Sequence, residues 1–179
     1  MDDLDPLAMA LGGAMRSRNA RLATAESCTG GMIAAACTAV PGSSDWFERG
    51  FVTYSNEAKC EMLGVNAGLI AQHGAVSAPV ACAMADGALA RSNAQLAVAV
   101  TGVAGPSGGT PDKPVGTVWL ALAQSGAPAA AERLQLNGDR AAVRQQTTRI
   151  ALQRLLDAAD APARRRSDAE TPDGKDSVS

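Results

Sequence analysis

The sequence is poor in aromatic residues. Its 179 residues include two Trp, two Phe and one Tyr, although 46% of all residues are hydrophobic. Because aromatic side chains are the largest in most cores, a core with so few of them must pack small aliphatic side chains closely. The length suits one compact domain, since domains commonly contain about 100–150 residues. We therefore expect one domain whose core is built from Ala, Val, Leu, Ile and Met.

Histidine is scarce and the cysteines are not paired in sequence. His73 is the only histidine, and Cys28, Cys37, Cys60 and Cys82 form no C-x-x-C motif. A metal site or a disulfide framework is therefore not expected. A Ser-His-Asp triad would depend on a single candidate histidine.

Positive charge is not concentrated, and no long apolar run is present. Sixteen Lys and Arg stand against eighteen Asp and Glu, which gives a net charge of −2. Nucleic-acid binding usually requires a basic patch, and a membrane span requires about 20 apolar residues. The acidic residues 1–6 also differ from a secretory signal. We expect a cytoplasmic protein that binds neither nucleic acid nor a membrane.

Hydrophobic periodicity predicts alternating helices and strands. Apolar residues recur at helical spacing over residues 5–18 and along a final helix capped by Asp139. Continuous apolar runs at 21–26 and 95–101 are typical of strands covered on both faces. Further elements are predicted at residues 32–38, 55–63, 66–73 and 77–91 (helices, with Ser55 and Ser77 as candidate caps) and at 51–54, 116–123 and 129–136 (strands).

This alternation predicts a three-layer α/β/α domain. The short turn between the last two strands makes them antiparallel neighbours, so we expect a mixed, mostly parallel sheet. From about residue 164 the sequence has no periodicity. We therefore expect a domain over residues 1–163 and a disordered tail over 164–179.

Two Gly-containing segments are candidate ligand-binding turns. Residues 26–31 (ESCTGG) place hydroxyls and backbone N–H groups at a helix N-terminus, where the helix dipole favours an anion. An ordinary helix cap is the simpler interpretation. The loop at 101–116 is long and Gly-rich, which is typical of functional loops, although a merely flexible loop would look the same. It matches neither a Walker A loop nor a dinucleotide-binding fingerprint.

Three further side chains suit amide hydrolysis without a metal. With histidine nearly absent, a hydroxyl activated by a neutral lysine is the remaining choice, and Ser44, Tyr54 and Lys59 supply the hydroxyl, phenol and amine. A neutral lysine requires the pKa to fall by about three units from about 10.4, and a solvated surface lysine is the alternative.

Two arginines are candidate phosphate ligands. Arg140 and Arg144 are spaced i and i+4 on one helix face, so both could bind one phosphate. The alternative is that they form an exposed polar stripe.

Taken together and in order, these segments resemble the CinA C-terminal domain family, which includes nicotinamide-mononucleotide deamidases. The matching segments are residues 24–31 (TAESCTGG), 41–44 (PGSS), 52–56 (VTYSN) with Lys59, 63–65 (LGV), 74–77 (GAVS), 101–106 (TGVAGP) with 108–109 (GG), 113–117 (KPVGT) and 138–140 (GDR) with Arg144. The resemblance covers residues 5–160. It implies a fold similar to anticodon-binding domains and a homodimer.

The resemblance also implies an activity and a set of site residues. The activity is hydrolysis of nicotinamide mononucleotide (NMN) to nicotinate mononucleotide and ammonia in pyridine-nucleotide recycling, with no metal or organic cofactor. The implied catalytic residues are Ser44, Tyr54 and Lys59, and whether Ser44 or Ser27 is the nucleophile stays open. The implied substrate-binding residues are Ser27, Thr29, Gly30, Gly31, Thr101, Gly102, Gly105, Gly108, Gly109, Arg140 and Arg144.

Two alternative functions come from other classes. One is a non-catalytic nucleotide-binding or regulatory module linked to competence or DNA damage, which is suggested by the competence and DNA-damage associations of the family that this chain resembles. The other is an amidase that uses Cys28 as a thiolate nucleophile, because a helix N-terminus lowers a thiol pKa. The neighbours of Cys28 in sequence offer no evident base for that mechanism.

Overall fold

The structure, a computed structural model, describes residues 4–161. The predicted tail at 164–179 lies outside the described residues. The described elements are α1 (Asp5–Ser17), β1 (Leu22–Glu26), α2 (Met32–Thr38), a 3-10 turn (Ser43–Asp45), β2 (Phe47–Val52), α3 (Asn56–Leu63), α4 (Ala67–His73), α5 (Ala78–Ala90), β3 (Leu96–Gly102), β4 (Thr117–Gln124), β5 (Ala127–Gln135) and α6 (Arg140–Asp160).

The five strands form one mixed sheet in the order β2-β1-β3-β4-β5. β1 pairs in parallel with both β2 and β3, whereas β3 with β4 and β4 with β5 are antiparallel pairs. Only β4 therefore runs against the other four strands. This confirms the predicted mixed sheet and the antiparallel pairing of its last two strands.

The two faces of the sheet carry side chains of different size. Leu and Val side chains of β1, β3 and β4 pack against α1, α2 and α6 on one face. On the other face, alanines such as Ala25, Ala97 and Ala99 pack against Val80 and Met84 of α5. Since both faces are covered by helices, the domain has the predicted three layers. Short alanine side chains allow a helix to approach the sheet closely, which is how a core with few aromatic residues reaches native density.

Side-chain caps begin three of the six described α-helices, at Ser55, Asn66 and Asp139. The Ser55 hydroxyl accepts a hydrogen bond from the Ala58 N–H at 3.0 Å, and the Asp139 carboxylate accepts one from the Ala142 N–H at 2.8 Å, as predicted. The prediction for Ser77 is wrong, because its hydroxyl donates to the Gly74 carbonyl instead of capping α5.

The strand predicted at residues 51–54 is displaced. β2 begins at Phe47 and ends at Val52, so Tyr54 follows the strand instead of ending it. Parallel pairing with the five residues of β1 sets these limits, since Glu26 at the end of β1 pairs with Val52. Residues 53–55 then form a short link into α3.

Parallel strands bring three connections to one end of the sheet. The turn after β1, the link after β2 and the loop after β3 all lie at the carboxyl ends of these strands, where α/β domains usually bind ligands. The 3-10 turn precedes β2 and therefore lies at the opposite end. None of the helices between residues 4 and 161 has the length and hydrophobicity of a membrane span.

Candidate active site

A buried lysine lies at the carboxyl end of the sheet. The cap at Ser55 starts α3 four residues before Lys59, whose side chain turns back beneath the link after β2 and is 1% exposed. Its Nζ atom donates to the Thr53 carbonyl at 2.9 Å and has longer contacts, both 3.4 Å, with the carbonyls of Tyr54 and Ser55. Burial lowers the pKa of Lys59 below the ordinary lysine value, which favours the neutral amine.

The hydroxyl that this amine contacts belongs to Ser27. The Oγ atom of Ser27 lies 3.1 Å from Lys59 Nζ, and the Ser27 N–H is held by the Val100 carbonyl of β3 at 3.0 Å. A neutral amine has a free electron pair and can take the proton of such a hydroxyl. Ser27 and Lys59 therefore have the geometry of a nucleophile and its base.

Ser44 does not meet Lys59 within one chain. It lies in the 3-10 turn before β2, and the Trp46 carbonyl next to this turn accepts the Leu22 N–H at the start of β1. Ser27 follows the end of β1. The five residues of β1 span about 13 Å at about 3.3 Å per residue, so Ser44 and Ser27 lie at opposite ends of the sheet. Within one chain, Ser44 and Lys59 therefore do not form the predicted pair.

Tyr54 lies at the rim of the site. Its side chain is 59% exposed, and its phenol oxygen accepts a hydrogen bond from Arg140 Nη2 at 2.7 Å. Lys59 contacts only the backbone carbonyl of Tyr54. The phenol is therefore paired with an arginine and not with the amine that it was predicted to assist.

The turn at residues 27–31 is held by a buried carboxylate. Glu26, at the end of β1, is 0% exposed, and its carboxylate accepts hydrogen bonds from four groups of the turn and of α2: the Thr29 hydroxyl (2.6 Å) and the N–H groups of Gly31 (3.0 Å), Ile33 (3.0 Å) and Ala34 (2.8 Å). These three N–H groups are the donors that a phosphate at this helix N-terminus would need. The expected phosphate site on this turn is therefore filled by the protein's own carboxylate.

Glu26 was not among the predicted site residues. The feature that could have identified it in the sequence is an acidic residue at the end of a buried, largely apolar strand, just before the turn into a helix. A buried carboxylate requires several donors, and the nearest free ones are the N–H groups of that helix.

Both candidate phosphate-binding arginines contact backbone carbonyls. Arg144 donates from Nε to the Cys28 carbonyl at 3.1 Å and from Nη2 to the Thr29 carbonyl at 2.8 Å. Arg140 donates from Nη1 to the Gly105 carbonyl at 2.9 Å, besides its bond to Tyr54. Each arginine therefore connects α6 to a different one of the two candidate ligand-binding turns.

Two adjoining cavities lie at this end of the sheet. A cavity of about 210 Å³ contains the Ser27–Lys59 pair, and its lining also includes Tyr54, Thr101, Gly102 and Arg140. A larger cavity of about 650 Å³ is lined by residues that include Pro106, Gly138, Arg140 and Arg144. Ala104 and Arg140 line both, so the two cavities form neighbouring parts of one cleft.

Most of the other predicted binding residues do not line the cleft. Thr101 lines the smaller cavity, but its hydroxyl donates its proton to the Ala75 carbonyl at 3.0 Å. Thr29, Gly30 and Gly31 belong to the turn held by Glu26 and do not line either of the two cavities. Gly108 and Gly109 do not line them either; Gly109 packs against the backbone of Val115.

Neither a thiolate nor a metal is favoured by the described residues. Burial raises the pKa of the Cys28 thiol to about 11, so the thiol stays protonated at neutral pH. Within residues 4–161, no group of three or more His, Cys, Asp and Glu is arranged to hold a metal ion.

The chain belongs to the family described as the CinA C-terminal domain, which matches residues 4–159. It is 53% identical over 153 residues to the nicotinamide-nucleotide amidohydrolase PncC of Escherichia coli strain K12, a match that covers 86% of this chain and 93% of the relative. It is 58% identical over 156 residues to the protein of the same name from Pseudomonas putida, covering 87% and 97%.

Solved structures agree with the family assignment. The competence/damage inducible protein CihA from Agrobacterium tumefaciens superposes with a TM-score of 0.85 at 44% identity, covering 89% of this chain and 96% of that protein. A CinA superfamily protein from Escherichia coli gives a TM-score of 0.83 at 37% identity, covering 87% and 90%. Since these similarities span most of each chain, they concern the whole domain and not an isolated motif.

Proposed function

We propose that the protein hydrolyses the carboxamide of nicotinamide mononucleotide, giving nicotinate mononucleotide and ammonia. The observation that carries the proposal is the buried Lys59 amine, 3.1 Å from the Ser27 hydroxyl in a small cavity beside a larger one. The relatives named nicotinamide-nucleotide amidohydrolase support the choice of substrate.

In the proposed reaction, neutral Lys59 takes the hydroxyl proton of Ser27 as Oγ attacks the carboxamide carbon. The tetrahedral intermediate collapses, and the protonated Lys59 returns that proton to the leaving ammonia. The nicotinoyl ester on Ser27 is then attacked by a water molecule that Lys59 deprotonates. The carboxylate product leaves, and Ser27 recovers its proton.

The positive charge of the substrate's pyridinium ring activates the carboxamide and keeps the resting Lys59 amine neutral. Its positive charge withdraws electrons from the carboxamide, which makes the carbonyl carbon more electrophilic. The same charge close to Lys59 opposes protonation of the amine and adds to the effect of burial on its pKa. A cationic aromatic amide is therefore a better substrate for this pair than a neutral one.

We assign the ring to the smaller cavity and the ribose phosphate to the larger one. Arg140 borders both cavities, and two of its N–H groups are engaged with Tyr54 and Gly105, which leaves further guanidinium donors for an anion. Tyr54 then lies at the boundary between ring and sugar.

We further propose that the enzyme acts in the cytoplasm and that it is a homodimer. Light scattering after size-exclusion chromatography measures the molar mass and so tests the dimer.

Ammonia release from NMN tests the proposal. Turnover by Ser27→Ala and Lys59→Ala is expected to fall by at least about 10²-fold, since a general base alone usually contributes about 10²–10⁴-fold. Ser44→Ala is the matched control and is expected to keep its turnover, because Ser44 lies at the other end of the sheet. Circular dichroism would verify that all three variants are folded.

Three results would contradict parts of this assignment. Unchanged turnover in both Ser27→Ala and Lys59→Ala would reject the pair as the catalytic site. Loss of turnover in Ser44→Ala alone would move the nucleophile to Ser44, which a second copy of the chain would then have to supply. Binding of NMN by the wild-type protein without ammonia release would favour the non-catalytic module.

A further inference from the structure

We propose that Glu26 and Arg144 are positioning residues that clamp the turn at residues 27–31 from two sides and thereby hold Ser27 against Lys59. The inference rests on the proposed function. It gives Glu26 a role in the reaction, and it reassigns Arg144, the candidate phosphate ligand of the sequence analysis, to the turn.

The inner side of the clamp is the Glu26 carboxylate. Its four hydrogen bonds, 2.6–3.0 Å long, connect the end of β1 to the Thr29 hydroxyl and to the N–H groups that begin α2. The carboxylate is fully buried, so water does not compete for these bonds. Bonds from several donors to one buried charge fix both ends of the turn relative to β1.

The outer side of the clamp is the Arg144 guanidinium. Nε and Nη2 donate to the carbonyls of Cys28 and Thr29, which are consecutive residues of the turn. The guanidinium also lies against Gly30, where a Cβ atom would be 3.5 Å from Arg144 Nη2 and where φ is +61°. A planar donor pair that engages two successive carbonyls fixes the orientation of both peptide planes.

Ser27 is the residue whose position this clamp determines. Its N–H is already held by Val100, so fixing the next two carbonyls leaves little freedom for its backbone. The 3.1 Å contact between Ser27 and Lys59 depends on that backbone. A displacement of about 1 Å in such a contact can cost about 100-fold in rate.

The decisive variant is Arg144→Lys, which keeps the positive charge but lacks the planar, fixed pair of donors that engages the two carbonyls. We expect kcat for NMN to fall at least about tenfold, and about 100-fold in Arg144→Ala. For Arg144→Lys, the Kd of nicotinate mononucleotide, measured by calorimetry, is expected to stay within about threefold of wild type, because the positive charge beside the larger cavity is kept and the bonds lost are to the protein. A phosphate ligand would behave differently, since loss of a charged hydrogen bond weakens binding by about 10–150-fold.

Glu26→Gln tests the inner side with a side chain of the same shape. The new amide NH₂ group would face N–H donors, so part of the clamp is lost and kcat is expected to fall as in Arg144→Lys. The acidic limb of the kcat–pH profile is expected to move in both variants, because it reports the Lys59 amine whose contact with Ser27 has changed. A purely structural role would lower the unfolding temperature without moving that limb.

Arg154→Ala is the matched control, since Arg154 lies on the same helix but pairs with Glu132 away from the cleft. It is expected to keep wild-type kcat and Kd.

If Glu26→Gln does not fold, the kinetics of Arg144→Lys and Arg144→Ala test the clamp without it. A raised Kd with unchanged kcat in Arg144→Lys would make Arg144 a phosphate ligand, and wild-type kinetics in Arg144→Ala would remove the clamp altogether. Absence of ammonia release from the wild-type protein would instead reject the proposed function.

Discussion

Replacing the buried Lys59 by Met separates the chemistry of the amine from its cost to the fold. Met has a similar unbranched shape but no charge, so Lys59→Met removes the contact with Ser27 and the 2.9 Å hydrogen bond to the Thr53 carbonyl. We expect turnover to fall by about 10²–10⁴-fold, which corresponds to about 3–5 kcal/mol of transition-state stabilisation.

The same substitution has a signature in the pH dependence of stability. Burial lowers the pKa of Lys59 in the folded protein, so between that pKa and the unfolded value of about 10.4 the unfolded chain binds more protons. The free energy of unfolding of the wild type therefore rises with pH in this window, by at most about 1.4 kcal/mol per pH unit for one group. Below the folded pKa the full cost of charging the buried amine is present. Lys59→Met removes this pH-dependent term.

Urea unfolding at a series of pH values measures the difference directly. The loss of the Thr53 hydrogen bond costs about 1–3 kcal/mol but does not vary with pH, so it shifts the whole curve of the variant without changing its slope. The slope difference between wild type and Lys59→Met is thus the quantity to measure. Lys113→Met is the control, because the Lys113 amine contacts the His73 carbonyl at the surface. Parallel wild-type and Lys59→Met curves between about pH 6 and pH 10 would refute a charge penalty at Lys59.

Three further predictions concern other parts of the domain. Cys28→Ala is expected to keep full turnover, and iodoacetamide at pH 7.5 to leave the wild type active, because the thiol pKa is about 11; rapid inactivation by alkylation of Cys28 would contradict this. Gly116 and Gly126 both have a positive φ, but a Cβ atom on Gly116 would collide with the Leu136 carbonyl whereas one on Gly126 would meet open space. Gly126→Ala is therefore expected to cost about 1–2 kcal/mol and Gly116→Ala at least about 2 kcal/mol more, and equal losses in urea unfolding would contradict the collision. Asp139→Ala removes the α6 cap and is expected to cost about 1 kcal/mol, or about 2–4 °C in unfolding temperature; an unchanged unfolding temperature would show that the cap is not needed.

Elements with a continuous local signal could be predicted from the sequence. The apolar runs of β1 and β3, the periodicity of α1 and the Asp139 cap of α6 each depend on neighbouring residues, and the structure has each element within about two residues of the prediction. β2 was harder to predict, because Glu48, Arg49 and Gly50 interrupt its apolar residues and none of its residues is fully buried. Its limits come from pairing with β1, which local periodicity does not contain.

The partner of Lys59 could not be predicted from spacing along the chain. Ser44 is closer to Lys59 in sequence than Ser27 is, but the six residues of β2 lie between Ser44 and Lys59 and carry them to opposite ends of the sheet. Ser27 is 32 residues away from Lys59, yet the parallel pairing of β1 with β2 brings the end of β1 beside the start of α3. Strand direction, and not sequence distance, selects the pair.

The sequence by itself determined the layers, the mixed sheet, the family and the chemical groups available for catalysis, since these depend on local periodicity and on motifs that are contiguous in the chain. Only the tertiary structure decided which hydroxyl meets the lysine, that Glu26 occupies the helix N-terminus expected to bind phosphate, and that Arg144 reaches the turn 115 residues before it. The physical reason is that hydrogen bonds and burial act over a few ångströms in space. Residues that are distant in the chain can form these contacts only after the sheet has brought them close together in space.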